Sequence, residues 1–453
     1  MPETTLSREA IAAIGAPLHS ANRAVAERFP GDSSIRQPVH TVYGGAHLFT
    51  ADIAVRLGAS ARKTLAEYAP TAEALAEALD FPSDLASTIY PRIVDKLARE
   101  PVEDFRIDFE DGFGNRPDEE EDRHARLAAT EVATGLRRGT LPPGIGIRIK
   151  TLSEELAPRS LRTLDLFLTT LLEASGGVLP PRFAVTLPKI TCPEQVAALA
   201  SACDAFEQSR GLAPRALSLE LMVETPHTVF AAEGTIALPA LVAAGGGRVV
   251  GAHFGTYDYT AGLAITAAHQ HMRHPACDFA KHVMQVSLAG TGIHLSDGAT
   301  NILPIAPHHA PTHAVLLDRE RHENAAVVHR AWRLHRDDIR HSLSGGFYQG
   351  WDLHPAQLPS RYATVYAFFL ESLGSASERL RNFVARAAQA TVVGGVFDDA
   401  ATGQGLLTFF LRATSCGAVS LDEAVASTGL TEDEIHGRSF LKILTNRRGF
   451  TTD

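Results

Sequence analysis

Eight short β-type runs separated by helical stretches constrain this 453-residue chain more than any other feature. They are "VHTVYGG" (39–45), "FRIDFED" (105–111), "GIGIRIK" (144–150), "RFAVTLPKI" (182–190), "LSLELMVET" (217–225), "RVVGAHFGTYD" (248–258), "GIHLSDGA" (292–299) and "YQGWDLHP" (348–355). Each is bounded by Gly, Pro or polar residues, as strands are. Between most of them lie about 25 to 50 residues of Ala/Leu/Glu/Arg-rich sequence with helical spacing. The alternation predicts an α/β protein whose sheet is covered on both faces, with near-continuous apolar strands. A doubly wound open sheet meets the same pattern. Closure into a (β/α)8 TIM barrel is favoured by the count of eight and by the polar and charged residues at the C-terminal ends of most runs, where barrel active sites are built.

The expected division is an N-terminal helical lead-in (1–35), a barrel (36–365) and a C-terminal helical arm or subdomain (366–453). The long first connection, 46–104, is expected to carry extra helices. Ser420 with Glu423, and Thr431 with Glu434, have the spacing of capping boxes and mark two late helices.

A net charge of −10 without a Lys/Arg block argues against nucleic acid or an anionic membrane as the main partner. Four cysteines without C-x-x-C spacing indicate neither a zinc knuckle nor a disulfide framework, and a reducing cytoplasm is expected. No secretory signal or membrane-spanning window is read.

Carboxylates are rarely buried unless paired, protonated or bound to a metal, so those that end β-type runs draw interest. "DFRIDFEDGF" places Asp108, Glu110 and Asp111 at the end of an apolar run; Asp118 to Asp122 read as a solvated helix start. Glu224 ends "LMVETP" and Asp258 ends "GTYDYT". Two carboxylates on adjacent strands of one rim can hold a hard cation and leave positions for water and substrate, as Mg²⁺ or Mn²⁺ prefers. Arg148 in "IRIK" needs either a carboxylate partner, Asp108 or Glu110, or a substrate anion. Lys189 in "LPKI" fits a supporting charge or a Schiff base. His269, His271, His274 and His282 read as solvated surface, whereas His354, held extended before Pro355, is placed to organise the rim.

In this order, "DFEDGF", "IRIK", "LPKI", "VETP", "GTYDYTAGLAI", "GIHLSDG" and "GWDLHPAQ" resemble the strand-end signatures of the citrate-lyase β-subunit and malyl-CoA lyase family, within the HpcH/HpaI-type aldolases. "DFED" and "GTYDY" also resemble malate synthases. The resemblance spans roughly residues 38 to 405 and includes "VGGVFDDAATGQGLL". It implies a phosphoenolpyruvate/pyruvate-type TIM barrel with Mg²⁺ at Glu224 and Asp258 and a substrate oxo or carboxylate group at Arg148, with Glu110 and Asp111 close by. It also implies an enolate intermediate and a homo-oligomer, trimer or hexamer, in which an acid matching Asp398 or Asp399 reaches a neighbour's site. Where the family has an apolar strand, Pro-Gly and an arginine, this chain has "HTVYGGAHLF", with His40, Tyr43 and His47.

The expected function is therefore a metal-dependent carbon–carbon lyase or aldolase acting on a small oxo- or hydroxy-carboxylic acid or its CoA ester. Arg148, Glu110, Asp111 and Asp398 form the expected catalytic set, with Arg148, Tyr43, Lys189 and His354 toward substrate. An acyl-CoA thioesterase and a non-catalytic complex subunit are the competing readings.

Overall fold

A computed structural model describes residues 5–310 apart from 32 and 34, residues 315–385, and residues 391–448 apart from 394, 395, 399 and 438. Eight strands close into one barrel in sequence order: β1 (His40–Gly45), β2 (Asp104–Asp108), β3 (Gly144–Arg148), β4 (Ala184–Leu187), β5 (Ser218–Val223), β6 (Val249–Phe254), β7 (His294–Ala299) and β8 (Gln349–Asp352). All neighbours are parallel, and β1 pairs with β8 to complete the ring. The fold is the expected TIM-type barrel, with a lead-in helix Arg8–Arg28 and a C-terminal helical arm.

The connections are helical, as the spacing predicts. Three helices, Ile53–Tyr68, Ala72–Leu79 and Ser83–Arg99, fill the first one. Later connecting helices stop where glycine adopts the left-handed conformation that other residues avoid, at Gly139 (φ 64°) and Gly211 (φ 65°). Among the described residues no helix is long and apolar enough to cross a membrane.

The strands correct one expectation. They are not continuously apolar but alternate, because successive side chains point to opposite faces. Phe105, Ile107, Ile145, Ile147, Val185, Leu187, Leu219 and Leu221 are buried outward under the helices. Inward, the barrel carries Thr41, Asp104, Arg106, Thr186, Glu220, His253 and Gln349, all buried. Arg106 donates across the axis to both oxygens of Glu220, with Nε at 2.8 Å from Oε2, and also meets Asp104. Thr186 donates to Glu220 (2.8 Å), Thr41 to Asp104 (2.8 Å), and Gln349 to Thr41 (2.9 Å). Gly144 and Gly146 leave room for this network: a Cβ at Gly144 would collide with the Asp104 carboxylate, and one at Gly146 with the Ala184 carbonyl.

A second polar cluster seals the β1/β8 seam from outside. His40 Nδ1 lies 2.7 Å from Asp352, and its Nε2 accepts from the Glu103 amide (3.1 Å), which makes Nδ1–H the donor to Asp352. Arg361 and His335 approach the same carboxylate at 2.9 and 3.1 Å. Burial raises the worth of each bond, because an unpaired buried charge is expensive.

The expected 365/366 boundary falls inside one helix, Leu358–Ala385, whose first half is buried against the barrel. The arm packs along this helix, with Phe409 against Phe369 and Phe440 against Phe383: it comprises helices Ala400–Ser415, Leu421–Thr428, Glu432–His436 and Phe440–Arg448, preceded by the antiparallel pair β9 (Thr391–Val393) and β10 (Val396–Asp398). Both expected capping boxes form, at Ser420/Glu423 and Thr431/Glu434.

Candidate active site

The C-terminal rim is built from the ends of β2 to β6. Asp108, Glu110 and Asp111 follow β2; Arg148 ends β3; Lys189 follows β4; Glu224 follows β5; Asp258 follows β6 on the short helix Thr256–Gly262. Asp108 and Arg148 are partners in the parallel register, so both point inward side by side. Arg148 forks onto Asp108, Nε to Oδ1 at 2.8 Å and Nη2 to Oδ2 at 2.6 Å, while Nη1 lies 3.2 Å from Glu110. Its guanidinium stands 4.9 Å from the ring centre of Tyr43 and 6.0 Å from that of Trp351. The pairing alternative open in the sequence is thus the one present. Asp108 also accepts from the amides of Glu110 (3.0 Å) and Gly112 (2.7 Å), which folds the loop back; a Cβ at Gly112 would stand 2.6 Å from Asp108 Oδ2.

Lys189 is the hub. Its ammonium contacts Glu110, lies 3.2 Å from Asp111 and 3.8 Å from Asp258, and its backbone N–H donates to Glu224 Oε1 at 2.7 Å. Burial opposes its charge, but Glu110, Glu224 and Asp258 together hold its pKa above the ordinary lysine value. Its backbone has φ 48°, a left-handed conformation that costs a residue with a side chain about 1–2 kcal/mol. Such strain persists where surrounding contacts over-determine it, as the contacts at both ends of Lys189 do.

Glu224 is 1 % exposed, and its Oε2 has no hydrogen-bond partner among the described residues. Burial pushes its pKa up to about 7; Arg148 and Lys189 pull it down, and Asp258 and Glu110 push it up again. Gly255 lets β6 pass this carboxyl, since a Cβ there would stand 2.5 Å from Glu224 Oε2. Among the described residues no group of three or more His, Cys, Asp or Glu side chains is arranged to hold a metal ion. Glu224 and Asp258 could supply two carboxylates, one of them with a lone pair unengaged.

Tyr43, Glu110, Asp111, Arg148, Lys189, Glu224 and Asp258 therefore share one rim. His354 accepts from the Ala356 amide (3.2 Å) and caps the turn Pro355–Gln357 with the extended backbone expected before proline. Asp398 ends β10, but its side chain, and all of Asp399, lie outside the described residues. His269, His271 and His282 are exposed, and His274 caps the helix Pro275–Leu288. The sequence reading did not single out Trp351, whose buried Nε1 has no partner among the described residues. The signal was its inward position in "GWDLHP", two residues from the inward Gln349.

A closed eight-stranded parallel barrel with a cluster of ionisable residues at its C-terminal rim defines the class: a TIM-type (β/α)8 protein. Within that class the chain belongs to the family described as "Domain of unknown function (DUF6986)", whose model matches residues 18–443. No curated protein matches it. Among solved structures it is similar to a citrate lyase from Burkholderia xenovorans LB400, at 20 % identity and a TM-score of 0.53 over 75 % of this chain and 92 % of that one. A malate synthase from Haloferax volcanii, in its magnesium/glyoxylate complex, matches at 13 % identity and a TM-score of 0.44 over 89 % and 97 % of the two chains. The citrate-lyase likeness is one of fold.

Proposed function

We propose that the rim is the active site of a citrate-lyase-like carbon–carbon lyase or aldolase that uses a divalent cation. Its substrate is a small oxo- or hydroxy-carboxylic acid, free or as a CoA ester. The observation that carries the reading is Glu224 Oε2, a buried carboxylate oxygen without a hydrogen-bond partner among the described residues, beside Lys189, Asp258 and Arg148. A buried charge in that condition calls for a ligand. Glu224 and Asp258 would hold Mg²⁺ or Mn²⁺, with the remaining positions taken by water and substrate oxygens. When bound, the cation supplies Lewis-acid polarisation of the substrate carbonyl.

The chain's own groups do the rest. Arg148, fixed by Asp108 and flanked by Tyr43 and Trp351, presents a preorganised positive charge toward developing oxyanion character. Lys189 neutralises Glu110 and keeps it beside Arg148. Asp111, with its side chain 62 % exposed at 3.2 Å from Lys189, is placed to take or return the proton exchanged at the substrate carbon.

The test is a panel of oxo- and hydroxy-acids and their CoA esters, incubated with purified protein and MgCl₂ and assayed for pyruvate, glyoxylate or acetyl-CoA. Glu224→Gln and Asp258→Asn should each lower turnover by about 100-fold or more, the scale of losing a group made for the transition state. Wild-type turnover persisting in both variants, or in excess EDTA, would remove the metal assignment.

A further inference from the structure

The foot of the barrel, at the opposite end from the rim, holds a partly open cavity of about 180 Å³. It is ringed by the first residues of several strands, among them Asp104, Ser218, His294 and Gln349, with His253 and Glu220 one layer above. A neighbouring cavity of about 240 Å³ shares His294 as its wall and reaches Arg412 on the arm helix Ala400–Ser415.

Donors and acceptors at the foot are unevenly matched. The acids of the first cavity have resident donors on every oxygen. Glu103 accepts from Val39 N (2.8 Å) and from Lys96 (2.6 Å), and meets Arg36 at 2.6 Å. Asp104 is held by Thr41 and Arg106, and Glu220 by Arg106 and Thr186.

Donors are left over. Arg182 donates to the Arg36 carbonyl (2.7 Å), and Arg412 to Gln37 Oε1 (2.6 Å). Among the described residues neither forms an ion pair with a carboxylate, and Arg412 stands over the Tyr348 ring at 4.9 Å from its centre. His253 is 2 % exposed; its Nε2 faces Glu220 at 3.3 Å without hydrogen-bond geometry, and its Nδ1 has no partner among the described residues. Burial, with Arg412 and Arg182 nearby, holds the His294 pKa down at about 4, so at neutral pH it is an uncharged ring with one N–H to donate. Arg182 also sits in a left-handed backbone conformation, φ 61°.

We propose that the foot is a binding site for a small organic oxyanion, a carboxylate or phosphate group gripped by Arg182, His253 and His294, with Arg412 on the far side of His294. Among the described residues each carboxylate oxygen of the cavity already accepts a hydrogen bond, so the acids are occupied by the chain's own donors. Arginine forks onto carboxylate and phosphate alike. Since Arg412 belongs to the arm and Ser33 and Ile35 to the lead-in, an occupied foot joins three parts of the chain. The proposal stands apart from the function of the rim.

Calorimetric titration of the full-length protein with succinate, and separately with inorganic phosphate, tests it. The wild type should bind at least one; which one identifies the charged head. Arg182→Gln should weaken that binding by about 10-fold or more, the scale of one charge-assisted hydrogen bond, with an unchanged melting temperature to show that it folds. Arg182→Lys should retain part of the affinity. Glu224→Gln, at the other end of the barrel, should bind as the wild type does, with the imidazole NMR signals of His253 and His294 shifting in both. No binding of either probe, equal binding by Arg182→Gln, or loss of binding in Glu224→Gln would overturn the proposal.

Discussion

Glu224 shows how one side chain can be found in a sequence while its condition cannot. A glutamate before Thr-Pro at the end of a β-type run was legible as a rim residue; that its carboxyl is buried with one oxygen unengaged required the packing of Lys189 and Gly255 around it. The condition has a measurable sign. Burial raises the folded pKa to about 7, above the ordinary glutamate value of about 4.3. Below pH 4 the group is protonated in both states and has no effect. As pH rises to 7 the unfolded chain ionises first and stability falls, by about 4 kcal/mol once both are charged. In divalent-free buffer, Glu224→Gln should therefore match the wild type at pH 4 and exceed it by about that amount at pH 8. Urea titrations at the two values check this, and an equal gap at both would refute it. Lys189 gives a second prediction: Lys189→Gly and Lys189→Ala both remove the ammonium and should both lose activity. The glycine variant should be the more stable by about 1 kcal/mol, because only glycine accepts φ 48° freely. Thermal unfolding of the pair decides it. Trp351 was missed because an aromatic on a strand looks the same whether it packs under a helix or faces a site.

At the scale of elements, all eight strands lie within the β-type runs or one residue from them, because Gly, Pro and polar residues punctuate both ends. The ends themselves were read too long: β2 stops at Asp108, and Glu110 and Asp111 belong to the loop that Asp108 folds. The polar alternation inside was hidden because Gly144, Gly146 and Ala184 occupy inward positions beside the charges, and small residues carry no pattern. The boundary at 365/366 failed to appear as a break since residues 360–373 hold neither Gly nor Pro, so the helix runs on. The capping boxes were legible from spacing alone. Ser420→Ala should lower the stability of the arm by about 1 kcal/mol, and Thr431→Ala by a similar amount. Hydrogen exchange confined to residues 400–448 would register the loss, and exchange unchanged there would contradict it.

Across the whole molecule, charge rather than hydrocarbon fills the lower barrel. Arg106 is held by Asp104 and Glu220 with almost no exposure, so Arg106→Met leaves two buried carboxylates unpaired and should cost about 3–5 kcal/mol. Adding Glu220→Gln to it should recover part of that loss, a coupling that a double-mutant cycle by denaturant unfolding measures directly. Additive effects would mean that the two side chains do not interact.

The same axial ion pairs set the alignment of the chain. A strand shifted by one residue exchanges its two faces. In β2 such a shift would drive Asp104, Arg106 and Asp108 into the layer where Phe105 and Ile107 now meet the helices, and turn those two hydrocarbons toward Glu220. Few packing defects would be penalised so heavily. Arg106 and its partners thus work as a key that admits a single threading of the sheet, and refolding should deliver one register rather than a family of slipped barrels.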